Sequence, residues 1–327
     1  MPRGISHALL IYNTASGRRR GERLAEVEAA SNVLKEAGIT AQLAPTTGRG
    51  SATSLARQAA VDGRQLVIVC GGDGTINEVV NGLAGSQVPM ALLPAGTANI
   101  LAKELGIPWD IVAAAGMIAG GELQRIALGM VSSVGLGGTG GAGSSRYFLS
   151  VGGAGPDGAM VHALETMAGT KSGIIDYWLE GVRQLFRYRF PEMRIRSGSR
   201  DIKATLIVVG RTQNYGGPFC ITTEANLLED CFEIVAYSTR NRLSYLACLP
   251  ALWLGKLRKM PDIHHWKTTE VVCEPAGGEE VFAQVDGEPI GKLPLRFSIV
   301  PDALTLLVPS GVETAKVMEL QAEAQGV

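Results

Sequence analysis

The chain has 327 residues, a formal net charge of −1, five cysteines and four histidines. This length allows two domains with separate cores, and the nearly balanced charge argues against a protein that wraps a nucleic-acid backbone. Without a CxxC pair, neither a zinc site nor a disulfide framework is indicated, and the pair His264–His265 predicts a surface loop. Because its apolar runs are too short for a signal peptide or a spanning helix, we expect a soluble cytoplasmic protein.

The first third of the chain alternates short aliphatic runs with amphipathic helical patterns. Such alternation predicts parallel strands joined by helical crossovers, and we expect an α/β domain with a parallel sheet over residues 1–124. The predicted strands are 7–12, 41–44, 66–69 and 88–93, and the predicted helices are 22–37, 51–61 and a third after Gly74.

From Arg125 onwards, short apolar runs recur with turn residues between them. That spacing is typical of an antiparallel sandwich or barrel, so we expect a larger, β-rich, sandwich-like domain over residues 125–310. The predicted strands are 126–131, 147–151, 202–209, 232–237, 268–273, 281–285, 295–299 and 304–308. The other expected elements are helical inserts near 158–190 and 243–259, a flexible glycine-rich loop over 132–145 and a helical tail over 311–327.

The segment CGGDGTINEVVNGL, from Cys70 to Leu83, places three glycines around one aspartate between a strand and a helix. A tight turn of this kind presents backbone N–H groups and the positive end of a helix dipole, and glycine lets a ligand approach the backbone closely. The segment therefore predicts a phosphate-binding turn. The alternative is that the glycines serve turn geometry alone and that Asp73 caps the following helix.

Three further stretches contain residues that could act together with this turn. YNTASG (12–17) and PAGTAN (94–99) each place small residues after a predicted parallel strand, and the carboxyl ends of such strands meet at one edge of a sheet. We therefore expect a nucleotide cleft at that edge. Near the C-terminus, QVDGEPI (284–290) sets Asp286 and Glu288 two residues apart in a turn, which an ordinary Asp-Gly hairpin would also explain.

Together these motifs resemble the soluble diacylglycerol kinase catalytic family, which includes bacterial lipid kinases and the sphingosine and ceramide kinases. The family pattern has GGDGTxNEVVNGL, then PxGTxN and a distal DGE. The resemblance runs from Asn13 to Glu288 and includes VGGAGPDG (151–158) and NYGG (214–217). The more distant NAD kinases share the GGDG turn.

The resemblance implies an ATP-dependent, Mg²⁺-using kinase that transfers the γ-phosphate to a lipid hydroxyl. Asp286 and Glu288 would supply the general base, with the choice between them open, and Asp73 completes the predicted catalytic set. Nucleotide contacts are implied for Asn13, Ser16, Gly17, Thr46, Gly72, Asp73, Gly74, Thr75, Asn77, Glu78 and Thr97. Nearby basic side chains are implied at Arg18, Lys103 and Lys171, for the last of which a surface lysine is the favoured alternative.

The same resemblance implies a structural magnesium site, with Asp230 and the carbonyl groups of Leu227 and Phe232 as ligands. The chain departs from the family here, since Ile100 and Ala127 stand where the family often has aspartate. Two carboxylates that link a metal to the cleft in some members are therefore missing. The structural metal is left open, and a solvated loop acid is the alternative for Asp230.

A lipid kinase must meet its substrate at a membrane surface, and two segments mix aromatic and basic residues as interfacial contacts do. They are GIIDYWLEGVRQLFRYRF (173–190) and LPALWLGKLRKM (249–260). The alternative is that the aromatic residues belong to the core and the arginines to its solvated rim. We expect peripheral membrane association through one or both segments.

Two classes of function remain open from the sequence. The first is a lipid kinase, with diacylglycerol as the expected substrate, phosphatidic acid as the product, and a sphingoid base, ceramide or phosphatidylglycerol as alternative acceptors. The second is a nucleotide-binding regulatory protein that lost activity with the missing carboxylates, although the intact DGE motif favours the kinase. An NAD-kinase-like enzyme is a weaker alternative. The expected partners are ATP and a lipid surface, with no nucleic acid, and a homodimer is left open.

Overall fold

The structure is a computed structural model, and it describes residues 4–17, 21–134, 145–166, 188–216 and 219–310. The predicted helical tail and most of the glycine-rich loop lie outside the described residues. By their contacts the described residues divide into two units. Unit 1 contains those of 1–126 and of 302–327, and unit 2 contains those of 127–301.

Unit 1 is an α/β structure built on a parallel sheet. Its elements are β1 (His7–Tyr12), α1 (Arg23–Glu36), β2 (Thr40–Pro45), α2 (Ser51–Val61), β3 (Val67–Gly71), α3 (Asp73–Leu83), β4 (Pro89–Pro94), α4 (Ile100–Glu104) and α5 (Ile111–Ile118). Strands β3 and β4 are aliphatic and buried along their whole length, which is typical of parallel strands covered on both faces.

The sheet of unit 1 has β1 between β2 and β3, and β4 beside β3, all paired in parallel. Residues 302–308 add a further parallel strand, in which Thr305 pairs with Pro89 of β4. Helix α1 packs against α5, and α2 packs against α3. A Cβ atom at Gly82 of α3 would lie 2.6 Å from the carbonyl oxygen of Thr53, so glycine is what lets α2 and α3 pack this closely.

Unit 2 is strand-rich. Its elements, together with the ends of β5 and β18 that belong to unit 1, are β5 (Glu122–Ser133), β6 (Arg146–Phe148), β7 (Val151–Ala154), α6 (Pro156–Thr166), β8 (Met193–Ser197), β9 (Arg200–Ala204), β10 (Leu206–Gly210), β11 (Asn214–Gly216), β12 (Phe219–Cys220), β13 (Phe232–Tyr237), α7 (Arg242–Trp253), β14 (Ile263–Thr268), β15 (Glu270–Pro275), β16 (Phe282–Val285), β17 (Glu288–Lys292) and β18 (Leu295–Val308). A short 3₁₀ helix covers Leu257–Lys259.

The strands of unit 2 form an antiparallel β-sandwich. One sheet has the order β14-β13-β10-β7-β16-β17, and the other contains β18, β15, β8 and β9 together with β5 and β6. Side chains from both sheets share one core. In that core Phe148 stacks on Phe232 with 5.7 Å between ring centroids and meets Phe297 edge-on at 6.1 Å.

The predicted fold class is confirmed: an α/β unit with a parallel sheet is joined to a β-rich, sandwich-like unit with helical inserts. Strand β1, helix α2 and strand β13 have the predicted bounds. The predicted strand 202–209 is two strands, β9 and β10, and the predicted strands 295–299 and 304–308 are one, β18. Among the described residues, no helix is long and apolar enough to cross a membrane.

The prediction of a surface loop at His264–His265 is wrong. Both residues lie in β14, which pairs with β13 along its whole length. The strand was missed because its alternate side chains are polar, so that it carries no continuous apolar run. His264 instead has a local polar partner, since its Nε2 lies 3.0 Å from Oγ of Ser238.

Candidate active site

Three small-residue turns of unit 1 begin side by side at the carboxyl ends of neighbouring strands. Tyr12 pairs with Cys70, which pairs with Leu93, so β1, β3 and β4 end at the same level of the sheet. The turns are also tied to the strands beside them, because the N–H of Asn13 donates to the carbonyl of Cys70 at 3.0 Å and that of Ala95 to Gly71 at 2.9 Å. The predicted grouping of turns at one sheet edge is therefore present in unit 1.

Glycines at two of these turns pack backbone against backbone. A Cβ atom at Gly96 would lie 2.5 Å from Cα of Gly72, and one at Gly72 would lie 3.2 Å from Cα of Gly96. Gly17 of the first turn has φ of +68°, and its Cβ would lie 2.5 Å from the carbonyl oxygen of Ala95. These glycines are thus required by the close approach of the turns to one another, a reason that the sequence motif does not show.

Asp73 joins the second turn to the third. Its carboxylate accepts the backbone N–H groups of Asn99 at 3.0 Å and Ile100 at 2.7 Å, which are at the start of α4. The Asn99 side chain in turn bonds both backbone groups of Gly96. The sequence alternative placed Asp73 as a cap of α3, but its carboxylate caps α4 and so fixes two turns together.

Arg23 is a part of this cluster that the sequence analysis missed. It is 4% exposed, and its guanidinium donates to the carbonyl of Ser16 at 3.1 Å and of Ala95 at 3.4 Å, and to Glu26 at 2.8 Å. It therefore clamps the first turn to the third. An arginine at the start of an amphipathic helix gave no signal of burial in the sequence.

The other predicted nucleotide-contact residues also have defined places in unit 1. Glu78 caps α2, since its carboxylate accepts the N–H groups of Gly50 at 2.7 Å and Ala52 at 3.1 Å. The amide of Asn13 donates to the hydroxyl of Thr75 at 3.1 Å. Asn77 is buried, and its backbone carbonyl accepts a hydrogen bond from the side-chain amide of Asn81. The backbone N–H of Thr46 donates to the carbonyl of Tyr12. The side chain of Thr97 is exposed. Contact of these residues with a nucleotide stays a prediction.

In unit 2 the DGE motif forms a two-residue hairpin. Val285 and Glu288 pair across it, and Asp286 and Gly287 have φ of 47° and 77°, as Asp-Gly hairpins do. The Asp286 carboxylate accepts three backbone N–H groups, from Leu149 at 2.8 Å, Ser150 at 2.9 Å and Val151 at 3.0 Å. Asp286 therefore fixes the hairpin to the segment between β6 and β7.

Glu288 differs from Asp286 in its surroundings. Its side chain is 23% exposed, and its carboxylate forms a 2.6 Å ion pair with Arg146. Of the two carboxylates of the motif, Glu288 is thus oriented by a side chain, whereas Asp286 is held by the backbone.

The hairpin rests on a buried polar chain. The N–H of Gly287 donates to Gln284 at 2.9 Å, and Gln284 donates to Asp157 at 2.8 Å. Tyr215 also donates to Asp157. Burial raises the pKa of the Asp157 carboxyl, against the lowering effect of these two hydrogen bonds.

Arg211 contacts one of the three predicted ligands of the structural magnesium site. The carbonyl of Leu227 accepts from Arg211 at 2.8 Å, while the side chain of Asp230 is exposed and Phe232 lies opposite Thr268 in the β13–β14 ladder. Burial lowers the pKa of Arg211 to about 10, which leaves it charged at neutral pH. These residues do not fit a metal ion. No group of three His, Cys, Asp or Glu side chains within the described ranges could hold one either.

Several predicted residues lie outside the described residues. They are Arg18, Lys171 and the aromatic and basic residues of 173–187. Lys103 lies in α4 with its ammonium 5.8 Å from the ring centroid of Trp109.

The chain joins a parallel α/β unit, with glycine turns along one strand edge, to an antiparallel sandwich. Residues 7–131 match the family model of the diacylglycerol kinase catalytic domain. Residues 150–308 match that of the YegS C-terminal NAD kinase beta sandwich-like domain. Together the two matches span most of the chain, which therefore belongs to the soluble bacterial diacylglycerol kinase family.

Similar proteins carry the same family name. The chain is 29% identical to a diacylglycerol kinase of Bacillus subtilis (strain 168) over 299 residues, which are 90% of this chain and 93% of the relative. It is 25% identical to a diacylglycerol kinase of Staphylococcus saprophyticus, over 95% of this chain and 98% of that protein.

Solved structures share the fold at lower identity. A putative diacylglycerol kinase from Bacillus anthracis superposes with a TM-score of 0.74 at 22% identity, over 94% of this chain and 99% of that one. Yeast NADH kinase complexed with NADH superposes with a TM-score of 0.51 at 11% identity, over 98% and 89%. Both likenesses concern the fold alone.

Proposed function

We propose that this protein is an ATP-dependent lipid kinase that transfers the γ-phosphate of ATP to the hydroxyl of diacylglycerol, giving phosphatidic acid. The observation that carries the proposal is the tie between Asp73 and the start of α4, which holds two glycine turns together at the N-terminus of α3. The names of the similar Bacillus and Staphylococcus proteins support a diacylglycerol acceptor.

The nucleotide phosphates bind at the N-terminus of α3. An α-helix leaves the N–H groups of its first turn without partners inside the helix, and its dipole favours negative charge there. Helix α3 begins directly after Gly72, and the exposed hydroxyl of Thr97 follows Gly96 in the adjacent turn. Backbone N–H groups and a hydroxyl are the donors that phosphate oxygens accept.

Glu288 is the general base of the proposed reaction. A base must be able to take up a proton, and the three backbone donors on Asp286 make its carboxylate an anchor for the hairpin. Glu288 takes the proton of the lipid hydroxyl while that oxygen bonds to the γ-phosphorus. The bond from phosphorus to the β–γ bridging oxygen breaks, and ADP leaves with the electron pair.

Magnesium would accompany the nucleotide. Mg²⁺ takes phosphate and carboxylate oxygens as ligands, and Asp73 is the carboxylate at the glycine turn that would hold it. When bound, the ion supplies neutralisation of the charge on the transferred phosphoryl group.

The test is a transfer screen with γ-³²P-labelled ATP against diacylglycerol, sphingosine, ceramide and phosphatidylglycerol in mixed vesicles, with NAD in solution as a further acceptor. We expect label in diacylglycerol. Label in another lipid would change the acceptor, and label in NAD would assign the weaker NAD kinase alternative. Binding of ATP by calorimetry without any transfer would favour the regulatory alternative.

A further inference from the structure

Arg211 is a fully buried cation at the centre of a ring of backbone carbonyls in unit 2. It follows β10, and its relative exposure is 0%. Its guanidinium donates at 2.8 Å to the carbonyls of Ala127 and Leu227 and at 3.2 Å to that of Cys231. A fourth bond goes to the carbonyl of Glu229.

Three of these four carbonyls come from one short loop, 227–231. Carbonyl oxygens that converge from a loop leave a concentration of negative partial charge that must be matched by donors or by a cation, because buried acceptors without partners are costly. Arg211 meets this need in one side chain. Its planar guanidinium presents N–H groups in several directions, so one residue can satisfy carbonyls on different segments.

The carboxylates near the ring do not offer a divalent ion what it needs. Mg²⁺ and Ca²⁺ sites combine carbonyl oxygens with carboxylates. Position 127 is alanine, the Asp230 side chain is exposed, and the Glu229 carboxylate pairs with Lys267 at 2.6 Å. A divalent ion at the carbonyl ring would also lie against the positive guanidinium, which is unfavourable at short distance.

We infer that the guanidinium of Arg211 is a built-in cation that takes the place of a structural metal ion in the 227–231 loop. Unit 2 then keeps its loop organised without a divalent ion, and any magnesium that this protein requires is required with the nucleotide. The inference is independent of which acceptor is phosphorylated.

The test is thermal unfolding of the protein without nucleotide. After dialysis against EDTA, the Tm of the wild-type protein should stay within about 1 °C of its value in millimolar Mg²⁺ or Ca²⁺, because a bound ion would stabilise the native state by mass action. Elemental analysis after gel filtration should find well under one divalent ion per chain. A Tm that falls in EDTA and returns with Mg²⁺, or one retained ion per chain, would overturn the inference.

Variants of Arg211 test whether its guanidinium stabilises the 227–231 loop. Removal of one partner from a buried charged network is among the most destabilising single changes, so Arg211→Ala should lower the Tm by about 8 °C or more. Arg211→Lys keeps the positive charge but has fewer directed N–H donors, so its Tm should lie between those of the wild-type and Arg211→Ala proteins. The matched control is Arg196→Ala, which removes a half-exposed arginine paired with Glu274 in the same unit and should change the Tm little. An Arg211→Ala protein that melts like this control would contradict the role. If that variant does not fold, the wild-type EDTA comparison and Arg211→Lys decide the question.

Discussion

The backbone N–H of Ile100 donates to the carboxylate of Asp73 at 2.7 Å, across 27 positions of the chain. Ile100 stands where the diacylglycerol kinase family often has aspartate, so this position keeps its backbone contact with the glycine turn without an acidic side chain. The contact that holds these two turns together is therefore made by the backbone of residue 100, and the replacement of aspartate by isoleucine leaves it intact.

Asp73→Asn should weaken nucleotide binding. An amide has one acceptor oxygen, so one of the two N–H groups that Asp73 accepts would face an NH₂ group instead. Loss of a cap costs about 1 kcal/mol of stability. We expect nucleotide affinity, measured by calorimetry, to fall by about tenfold or more, which is about 1.4 kcal/mol.

Asp110→Asn is the matched control for this variant. Asp110 caps α5 by accepting the N–H of Ala113 at 2.8 Å, and it is not part of the three turns. Asparagine at this position can still accept that one N–H, so the substitution removes a cap's charge with little loss of stability and should leave nucleotide affinity unchanged. Equal ATP affinity in the two variants would refute the role of Asp73.

Asp157 should give the wild-type protein a distinctive pH dependence of stability. Burial raises the pKa of its carboxyl in the folded protein, while in the unfolded chain the carboxyl titrates near its ordinary pKa of 3.8. Between those two values the folded protein holds a proton that the unfolded chain has released. This contribution to stability therefore falls as pH rises from about 3.8 through the folded pKa, by at most about 1.4 kcal/mol per pH unit.

Urea unfolding of the wild-type and Asp157→Asn proteins across this range measures that contribution. The amount by which the free energy of unfolding of the wild-type protein exceeds that of Asp157→Asn should decrease as the pH rises. Asp201→Asn is the opposite control, because the Arg194 hydrogen bond lowers the pKa of Asp201. The wild-type advantage over that variant is lost only below about pH 3.8 and should not narrow across this range. An advantage over Asp157→Asn that is constant or widening would contradict the raised pKa.

The C-terminal end of α7 should contact anionic membranes. Trp253 and Leu254 are 79% and 62% exposed, and Lys256 and Lys259 follow them on the surface. Exposed apolar side chains beside lysines favour a negatively charged lipid interface. Sedimentation with vesicles should increase with anionic lipid content and decrease with salt.

Trp253→Ala and Lys256→Ala should each reduce this binding, and Val61→Ala, an exposed apolar residue of α2, should not. Vesicle binding that changes with neither anionic lipid content nor salt would show that this surface is not the membrane contact. Arg258 is not expected to contribute, because its guanidinium pairs with Glu224.

Local patterns predicted much of this fold. Strand β1, helix α2 and strand β13 follow from short-range periodicity, because each presents one clear apolar pattern. Strands β8 and β17 were missed, since MRIRS and EPIGK carry charges or Gly and Pro and contain no continuous apolar run. Each pairs with its neighbour in the chain across a tight turn, β8 with β9 and β17 with β16, so the hairpin rather than an apolar pattern was the local signal.

In the candidate site too, features with a local sequence motif were predicted and features without one were missed. The glycine turns and the DGE hairpin were predicted from their motifs, whereas the buried arginines were not. Arg23 and Arg211 are bound to carbonyls that lie far away in sequence, at Ala95 and Ala127. A sequence shows the charge of such a residue, but it does not show the backbone acceptors that make its burial favourable.

The most direct test of the central claim is the initial rate of ³²P transfer from ATP to diacylglycerol in mixed vesicles by the wild-type, Glu288→Gln and Glu270→Gln proteins. Glu270 is the matched control, because it forms a 2.8 Å ion pair with Arg296 on the surface of the same unit. We expect labelled phosphatidic acid with the wild-type and control proteins, and a kcat about 10²–10⁴-fold lower for Glu288→Gln with ATP affinity nearly unchanged. Equal rates for all three proteins, or no labelled lipid from the wild-type protein, would contradict it.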